Sequence, residues 1–508
     1  MKVILISPNT PGWDFGIRTL SAVLKEKGHI VRLLFVPLNA GQRTINSNIL
    51  KKIVDLSAGF DLIAMSVMTN YFSGLAVITR TLKDNLNIPI IWGGIHPTLR
   101  PDECLNHADL VCVGEGEETL VDVLKIIERR QDFKNILGLG YRDDGQAVVN
   151  GLRPLIKDLD SLPFQDFKCD DDWLLQKDSI KKIDINLLEK ILIGHTHTSK
   201  ESYKIYHTIT SRGCRFACAY CCHSYLRKMH PGQEIIRKRS VENVIKEFIE
   251  VKKLLPFVNC VLINDDDFFS RKEDEIVAFA KEYKEKIKLP LWVTGVSISE
   301  FNAEKLTILV DAGLKFIRLG IQSGSDRVRK MYRRYYSNQK IIAVAKEINK
   351  FKHKIAPPSY DIILDNPWES ESDLTETLML LSHLPKPYGI ELFYLTFYPN
   401  TELYDKAKKE GIIKNDVAEV YDKSYYTPKP TYLNKVFLLL SGYLREGGGG
   451  ISPIVMFMLT NPRLRKFKIS FIVYNLLKMP HFLARAVYYA KNLTEISTMI
   501  NSKINRFR

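Results

Sequence analysis

Ser211-Arg212-Gly213-Cys214-Arg215-Phe216-Ala217-Cys218-Ala219-Tyr220-Cys221 holds three cysteines in a C-x3-C-x2-C loop, with an aromatic residue before the last. Thiolates are soft ligands suited to iron–sulfur clusters. A cubic 4Fe–4S cluster with three protein ligands keeps one iron open to bind a substrate. The pattern therefore points to chemistry at the cluster rather than to electron storage. Zinc is the alternative reading, but zinc ligands come as two C-x2-C halves or as Cys2His2, and no second half is present. Cys222 directly follows Cys221. Adjacent side chains diverge, so Cys222 reads as a packing residue or a reactive thiol rather than a fourth ligand. Cys260 opens an apolar stretch and reads as core.

The loop follows Tyr206–Thr210, an apolar run expected to be a strand. Further strands are expected at Cys260–Asn264, Leu291–Val296, Phe316–Leu319, Asp361–Leu364 and Glu391–Thr396. Amphipathic helices such as Val241–Leu254 and Glu273–Tyr283 separate them. Six such units predict a partial (β/α)6 barrel of TIM type, whose site gathers at the carboxyl ends of the strands. The other strand ends are polar: Asn264-Asp265-Asp266-Asp267-Phe268-Phe269, Gly320-Ile321-Gln322-Ser323-Gly324-Ser325-Asp326-Arg327 and Asp365-Asn366-Pro367-Trp368-Glu369. One of the three aspartates is expected to cap the helix starting near Arg271. Arg327 either meets a carboxylate or faces solvent.

Upstream, residues 1–150 alternate differently. Strands are expected at Val3–Ser7, Ile30–Val36, Asp61–Val67, Ile88–Trp92 and Ala108–Val113. Helices are expected at Ile17–Lys27, Leu75–Leu86 and Glu117–Glu128. Continuous Val/Ile/Leu runs are strands buried on both faces. The alternation argues for a doubly wound, Rossmann-like parallel sheet, which binds ligands at its strand ends. Two such ends are glycine-rich: Gly93-Gly94 and Gly114-Glu115-Gly116. With no Cβ in the way, a backbone there can approach a ligand closely. Glu117 and Glu118 suit the first turn of a helix. Residues 151–204 read as a linker that packs partly on both neighbours, with Asp170-Asp171-Asp172 a solvated turn. His195 and His197 fall in that linker, in a setting too irregular for a ligand assignment.

The 508 residues fit about three domains with ordinary composition, 45% hydrophobic and 26% charged. Eight cysteines, half of them within nine residues, are too sparse for a disulfide scaffold and imply a reducing, cytoplasmic setting. The N-terminal apolar run reads as a first strand rather than a signal peptide. Of the net +15, +9 lies in residues 451–508, where ten Lys/Arg face Glu495 alone. Helical pieces are expected at Leu403–Glu410 and Leu433–Leu444 within a 406–508 extension, and Gly447–Gly450 reads as a flexible break. Beyond it, Ile454–Leu459 and Ile469–Leu477 are apolar and flanked by Arg463, Arg465, Lys466 and Lys468. Such a segment reads first as a helical cap docked on the barrel with its basic side in water; contact with a membrane surface at its inner face is the alternative. No nucleic-acid module accompanies the charge, so nucleic acid is not an expected partner.

The cysteine loop with Tyr220 resembles that of the radical S-adenosylmethionine (SAM) enzymes. Ser66-Val67-Met68, followed 25 residues on by Gly93-Gly94, resembles the S-x-L and G-G elements of the cobalamin-binding domain many of them carry. The resemblance covers roughly residues 1–405. It implies a cobalamin-binding domain at 1–150, a linker at 151–204, a radical SAM barrel at 205–405 and the helical extension at 406–508. Cys214, Cys218 and Cys221 would hold a 4Fe–4S cluster. Ser66, Gly93, Gly94, Gly114 and Gly116 would line the cobalamin groove, and Tyr220, Asp266, Gln322 and Ser323 would contact SAM. Gln322 stands where the family has Glu, and Asp365-Asn366-Pro367-Trp368-Glu369 departs from the usual Gly-Leu-Pro-Gly. The first-strand loop Asn9–Gly16 contains no histidine, so it offers cobalt no lower ligand; His96 lies after the wrong strand and reads as a loop or helix-start residue. The implied reaction is SAM cleavage to a 5′-deoxyadenosyl radical, hydrogen abstraction from an unactivated carbon, and methylation from methylcobalamin. The substrate would be a small or lipid-like molecule, and the electron donor a flavodoxin or ferredoxin. Ring closure of the anaerobic porphyrin-cyclase type, or a cobalamin sensor or carrier with an inactive barrel, are the alternatives. A plain nucleotide-binding site lacks its G-x-G-x-x-G after the first strand.

Overall fold

The computed structural model describes residues 1–195, 202–447 and 450–478. His197, Gly448, Gly449 and the basic residues from Arg485 onward lie outside the described residues.

Five parallel strands form the centre of the first sheet: β1 (Lys2–Ser7), β2 (Ile30–Phe35), β3 (Leu62–Ser66), β4 (Ile90–Gly93) and β5 (Leu110–Cys112). Their order is β2-β1-β3-β4-β5. Val3, Ile4, Leu5 and Ile6 are all inaccessible or nearly so, because helices cover both faces. The direction of chain progression reverses between β1 and β3, which opens a crevice at their carboxyl ends. Two hairpin strands extend this edge: β6 (Leu139–Asp143) pairs antiparallel with β5, and β7 (Gln146–Val149) antiparallel with β6.

The opposite edge departs from expectation. β8 (Asp172–Gln176) pairs parallel with β2, and β9 (Ser179–Lys182) returns antiparallel, so part of the expected linker completes a nine-stranded sheet. The acidic run is not a solvated turn. Asp172 is buried and ion-pairs at 3.3 Å with the fully buried Arg18, and Asp171 accepts from Arg32 at 2.8 Å. Only Asp170 stays in water. Arg18 also donates to the Pro11 carbonyl at 2.8 Å and lies 3.9 Å above the Phe167 ring. A cation locked inside the sheet's flank thus selects the carboxylate that anchors its edge. No sequence spacing reveals that pair, 154 residues apart.

The second sheet begins with β10 (Ile193–His195), antiparallel to β11 (Ser202–Thr208). A short ribbon, β12 (Ser211–Arg212) with β13 (Arg237–Lys238), brackets the cysteine loop. Then come β14 (Cys260–Ile263), β15 (Leu291–Ser297), β16 (Leu314–Gln322), β17 (Ser359–Leu364) and β18 (Gly389–Tyr394). β11, β14, β15, β16, β17 and β18 lie side by side, all parallel, in chain order. β11 and β18 remain at opposite ends of this order, so the six-unit barrel is partial. All six expected strands are present. Helices also form at Glu402–Lys409, Tyr432–Gly447 and Pro453–Thr460.

The chain after β18 returns to the first domain. Asn400 donates to the Leu99 carbonyl at 2.7 Å, and Tyr421 to Glu103 at 2.7 Å. Asp422 accepts from Ser73 at 2.7 Å and pairs with Arg43. These contacts fix how the two sheets' strand ends face each other. Removing the buried cation tests the edge anchor: Arg18→Ala, which strands Asp172, should cost about 3–5 kcal/mol of stability in denaturant unfolding, while Arg18→Met with Asp172→Leu should recover much of it.

Candidate functional site

The cysteine loop is built on a fixed strand end. Asp265, buried after β14, accepts the Thr210 hydroxyl at 2.6 Å and the Ser211 amide at 3.1 Å. Arg271 donates to the Thr210 carbonyl at 2.9 Å. None of the three aspartates caps the following helix, Glu273–Glu282, whose N-cap is Lys272. Burial at the strand end gives Asp265 a different set of donors. Gly213 then turns the chain with φ +88°, and a Cβ there would sit 2.1 Å from the Ile235 carbonyl. Further along, the Ala219 amide donates to Tyr332 at 3.2 Å, and the Leu403 amide to Ala219 at 3.0 Å. The loop is therefore held from three sides.

Cys218 is buried, and Cys214 and Cys221 are half-buried. Burial pushes the Cys214 thiol up to about 12. Burial also raises Cys218, partly offset by Arg334. A hydrogen bond with Cys222, then burial, raises Cys221 further. Among the described residues, no three His, Cys, Asp or Glu side chains stand close enough together to hold a single metal ion. Cys221 adds its field to both Cys214 and Cys218. Arg334, a residue the sequence reading passed over, lies almost buried beside Cys214, Cys218 and Tyr220, with its Nε unpartnered. Nothing in Arg333-Arg334 distinguishes the inward arginine from its exposed neighbour. Tyr220 packs edge-on against Tyr332 at 5.1 Å.

A cavity of about 540 Å³ lies between the two sheets' strand ends. Its first wall carries Ser66, Gly93, Gly94, Gly114 and Gly116. Gly94 has φ +101°, and its Cβ position lies 3.1 Å from the Val67 carbonyl, so only glycine sits there without strain. Phe15, Ile17 and Leu20, from the first-strand loop and the helix after it, add an apolar side. The facing wall carries Gly213 at the start of the cysteine loop, His223 and His230 after it, and Asp266 after β14; the three cysteines lie behind this wall rather than on it. His96 is elsewhere, fully buried and bonded to Thr69 at 3.2 Å.

An ion cluster joins the walls. Glu115 pairs with Arg212 at 3.0 Å and Arg237 at 2.9 Å, and takes the Ile156 amide at 2.8 Å. Glu117 pairs with Arg212 as well. Burial works to raise the Glu115 carboxyl, but the two guanidiniums outweigh it and hold it below its ordinary value. Glu117 is thus an interdomain partner, while Glu118 reaches Arg153 at the surface.

The expected SAM contacts separate. Asp266 lines the cavity but pairs with His223 Nε2 at 3.0 Å; burial disfavours the imidazolium, yet that bond lifts His223 to about 9. Asp267 is buried 3.2 Å from Arg215, and neither of its carboxyl oxygens has a well-formed hydrogen bond. Burial raises it to about 6. Gln322 ends β16 at φ +69°, away from the cavity walls. Ser323 is fully buried and bonded to Thr377 at 3.2 Å and to the Ser325 amide at 3.1 Å. Arg327 meets Asp373. Glu369, after β17, is pushed by burial to about 8 and keeps one carboxyl oxygen unpartnered.

Comparison with known families matches this division. The family model described as "B12 binding domain" matches residues 1–124, and that described as "Radical SAM superfamily" matches residues 208–381. Together they span more than half of the chain, which is a radical SAM enzyme with a cobalamin-binding domain. An uncharacterized methyltransferase of Pyrococcus horikoshii is 24% identical over 428 residues, 81% of this chain and 84% of that protein. The anaerobic magnesium-protoporphyrin IX monomethyl ester cyclase of Cereibacter sphaeroides is 24% identical over 75% of this chain but only 58% of its own length. Among solved structures, the cobalamin-dependent SAM radical enzyme OxsB superposes with TM-score 0.63 at 19% identity, over 100% of this chain and 75% of that one. The radical SAM methyltransferase TsrM of Kitasatospora setae, with cobalamin and a [4Fe-4S] cluster, gives 0.62 at 14%, over 80% and 78%. At these identities the structures bear on the fold.

The raised thiols make cluster assembly depend on pH. Because their pKa values lie above neutrality, the thiolate fraction grows with pH. Iron–sulfide reconstitution of the metal-free chain, followed by absorbance, should speed up by as much as roughly tenfold per unit from about pH 7 to pH 9.

Proposed function

We propose that this chain methylates an unactivated carbon of a small or lipid-like substrate, with a flavodoxin or ferredoxin as electron donor. The observation that carries the reading is the shared cavity, with the glycine-rich groove on one wall and the start of the cysteine loop on the other. When bound, the 4Fe–4S cluster, SAM and cobalamin supply radical generation and a transferable methyl group.

The protein's part is to hold and orient. Cys214, Cys218 and Cys221 would hold the cluster. Arg334 sets a fixed positive charge beside thiols that would lose their protons to become ligands. Ser66, Gly93, Gly94, Gly114 and Gly116 let a nucleotide tail lie close to the backbone. Phe15, Ile17 and Leu20 give the groove an apolar lining with no lower ligand for cobalt. A buried carboxylate short of donors suits an ammonium group. Asp267, buried beside Arg215, and Asp266, on the cavity wall beside His223, are the two carboxylates at this strand end to take it. Tyr220 packs over the loop, while Gln322 and Ser323 would reach SAM through the strand end they shape. The Glu115–Arg212–Arg237 cluster keeps the two walls in register.

With SAM and a reductant, the loaded enzyme should form 5′-deoxyadenosine and a product heavier by one methyl group. Loss of hydrogen with no added carbon would indicate cyclisation, and failure to cleave SAM would indicate a carrier. Each of Cys214→Ala, Cys218→Ala and Cys221→Ala should abolish 5′-deoxyadenosine formation. Gly93→Leu, at a position where an added Cβ makes only ordinary contact, should fill the groove and lower bound cobalt at least roughly tenfold without loss of iron.

A further inference from the structure

The C-terminal helices are apolar on two sides. In the helix Pro453–Thr460, Met456 and Leu459 are buried against the body, while Ile454, Phe457 and Met458 point outward, Ile454 being 75% exposed. The helical stretch 469–478 repeats the pattern. Val473, Tyr474 and Leu477 pack on the core, while Ile469, Ile472 and Leu476 stand in water. Between them Phe467 is 72% exposed. The inward side is docked: Tyr432 donates to the carbonyls of Leu459 and Ser470 at 3.0 and 3.2 Å, and Arg465 pairs with Glu371. The outward residues recur at i, i+3, i+4 and i+7 spacing, the mark of one helix face. A globular chain rarely exposes such a contiguous apolar surface without a partner.

Charge selects the partner. Residues 451–478 contain Arg463, Arg465, Lys466, Lys468 and Lys478 and no acidic residue. Arg463, Lys466, Lys468 and Lys478 are all exposed, as are the outward apolar side chains they alternate with along the segment. A second copy brought face to face would set these cations against their equivalents, an unfavourable pairing. A bilayer carrying anionic headgroups answers both features, taking apolar side chains into its boundary and phosphate oxygens to the cations. We propose that the outward face of residues 453–478 docks this enzyme on an anionic lipid bilayer. This stands apart from the reading of the reaction, since docking requires none of the cofactors.

The test is co-sedimentation of the full-length chain with vesicles of phosphatidylcholine, alone or mixed with phosphatidylglycerol. The parent chain should sediment with the anionic vesicles alone and dissociate as salt rises. Two variants change only exposed side chains: Phe467→Glu with Ile472→Glu, and Lys466→Glu with Lys468→Glu. Each should lower the partition coefficient about tenfold or more, with an unchanged circular dichroism spectrum. Sedimentation of parent and variants alike, or of none, would overturn the proposal. So would loss of a concentration-dependent dimer in the variants with no vesicle binding by the parent, which would assign the face to a second copy.

Discussion

Two guanidiniums and two carboxylates hold this molecule's working geometry. Arg212 stands two residues before Cys214, the first cysteine of the C-x3-C-x2-C loop, and Arg237 lies on the strand paired with it. Both converge on Glu115, in the glycine loop of the other domain, and Glu117 reinforces Arg212. The group is largely shielded from solvent, where a charge pair is strong once made and costly to break on one side. Every other feature of the cavity assumes this register. The groove of one sheet and the cysteine loop of the other gain meaning only when they face each other across one space.

The division of labour along the chain follows from that constraint. Parallel strands supply rigid ends, and the loops between them supply function, as in other open and barrel-like α/β folds. Asp265 fixes the strand end, Gly213 makes the turn, and Tyr332 and Leu403 hold the loop from the far side. The loop thus presents three thiols on a backbone path braced by contacts on three sides. Arg334 and the buried carboxyl of Asp267 then give the neighbourhood opposite charges at separate points.

Features encoded over short distances could be read directly from the sequence. The C-x3-C-x2-C loop, the paired glycines and the apolar runs of all six barrel strands are local patterns, and each lies where its pattern implied. What could not be read depends on distance along the chain. Glu115 meets Arg212 and Arg237 across 97 and 122 residues, and Arg18 meets Asp172 across 154. The acidic run 170–172 resembled a solvated turn because its buried cation lies on another element. The three consecutive aspartates after β14 look equivalent in sequence, yet one braces a strand end, one binds His223 and one stays short of donors. Their partners separate them, since Asp265 and Asp267 are equally buried, and those partners belong to the tertiary structure.

The central claim is that one chain holds an iron–sulfur cluster and cobalamin against a single cavity. Metal and sulfide analysis of the chain, purified without oxygen and with cobalamin supplied, tests it most directly. The account predicts roughly four iron, four sulfide and one cobalt per chain. A single zinc in place of iron, or iron with no cobalt at all, would contradict it.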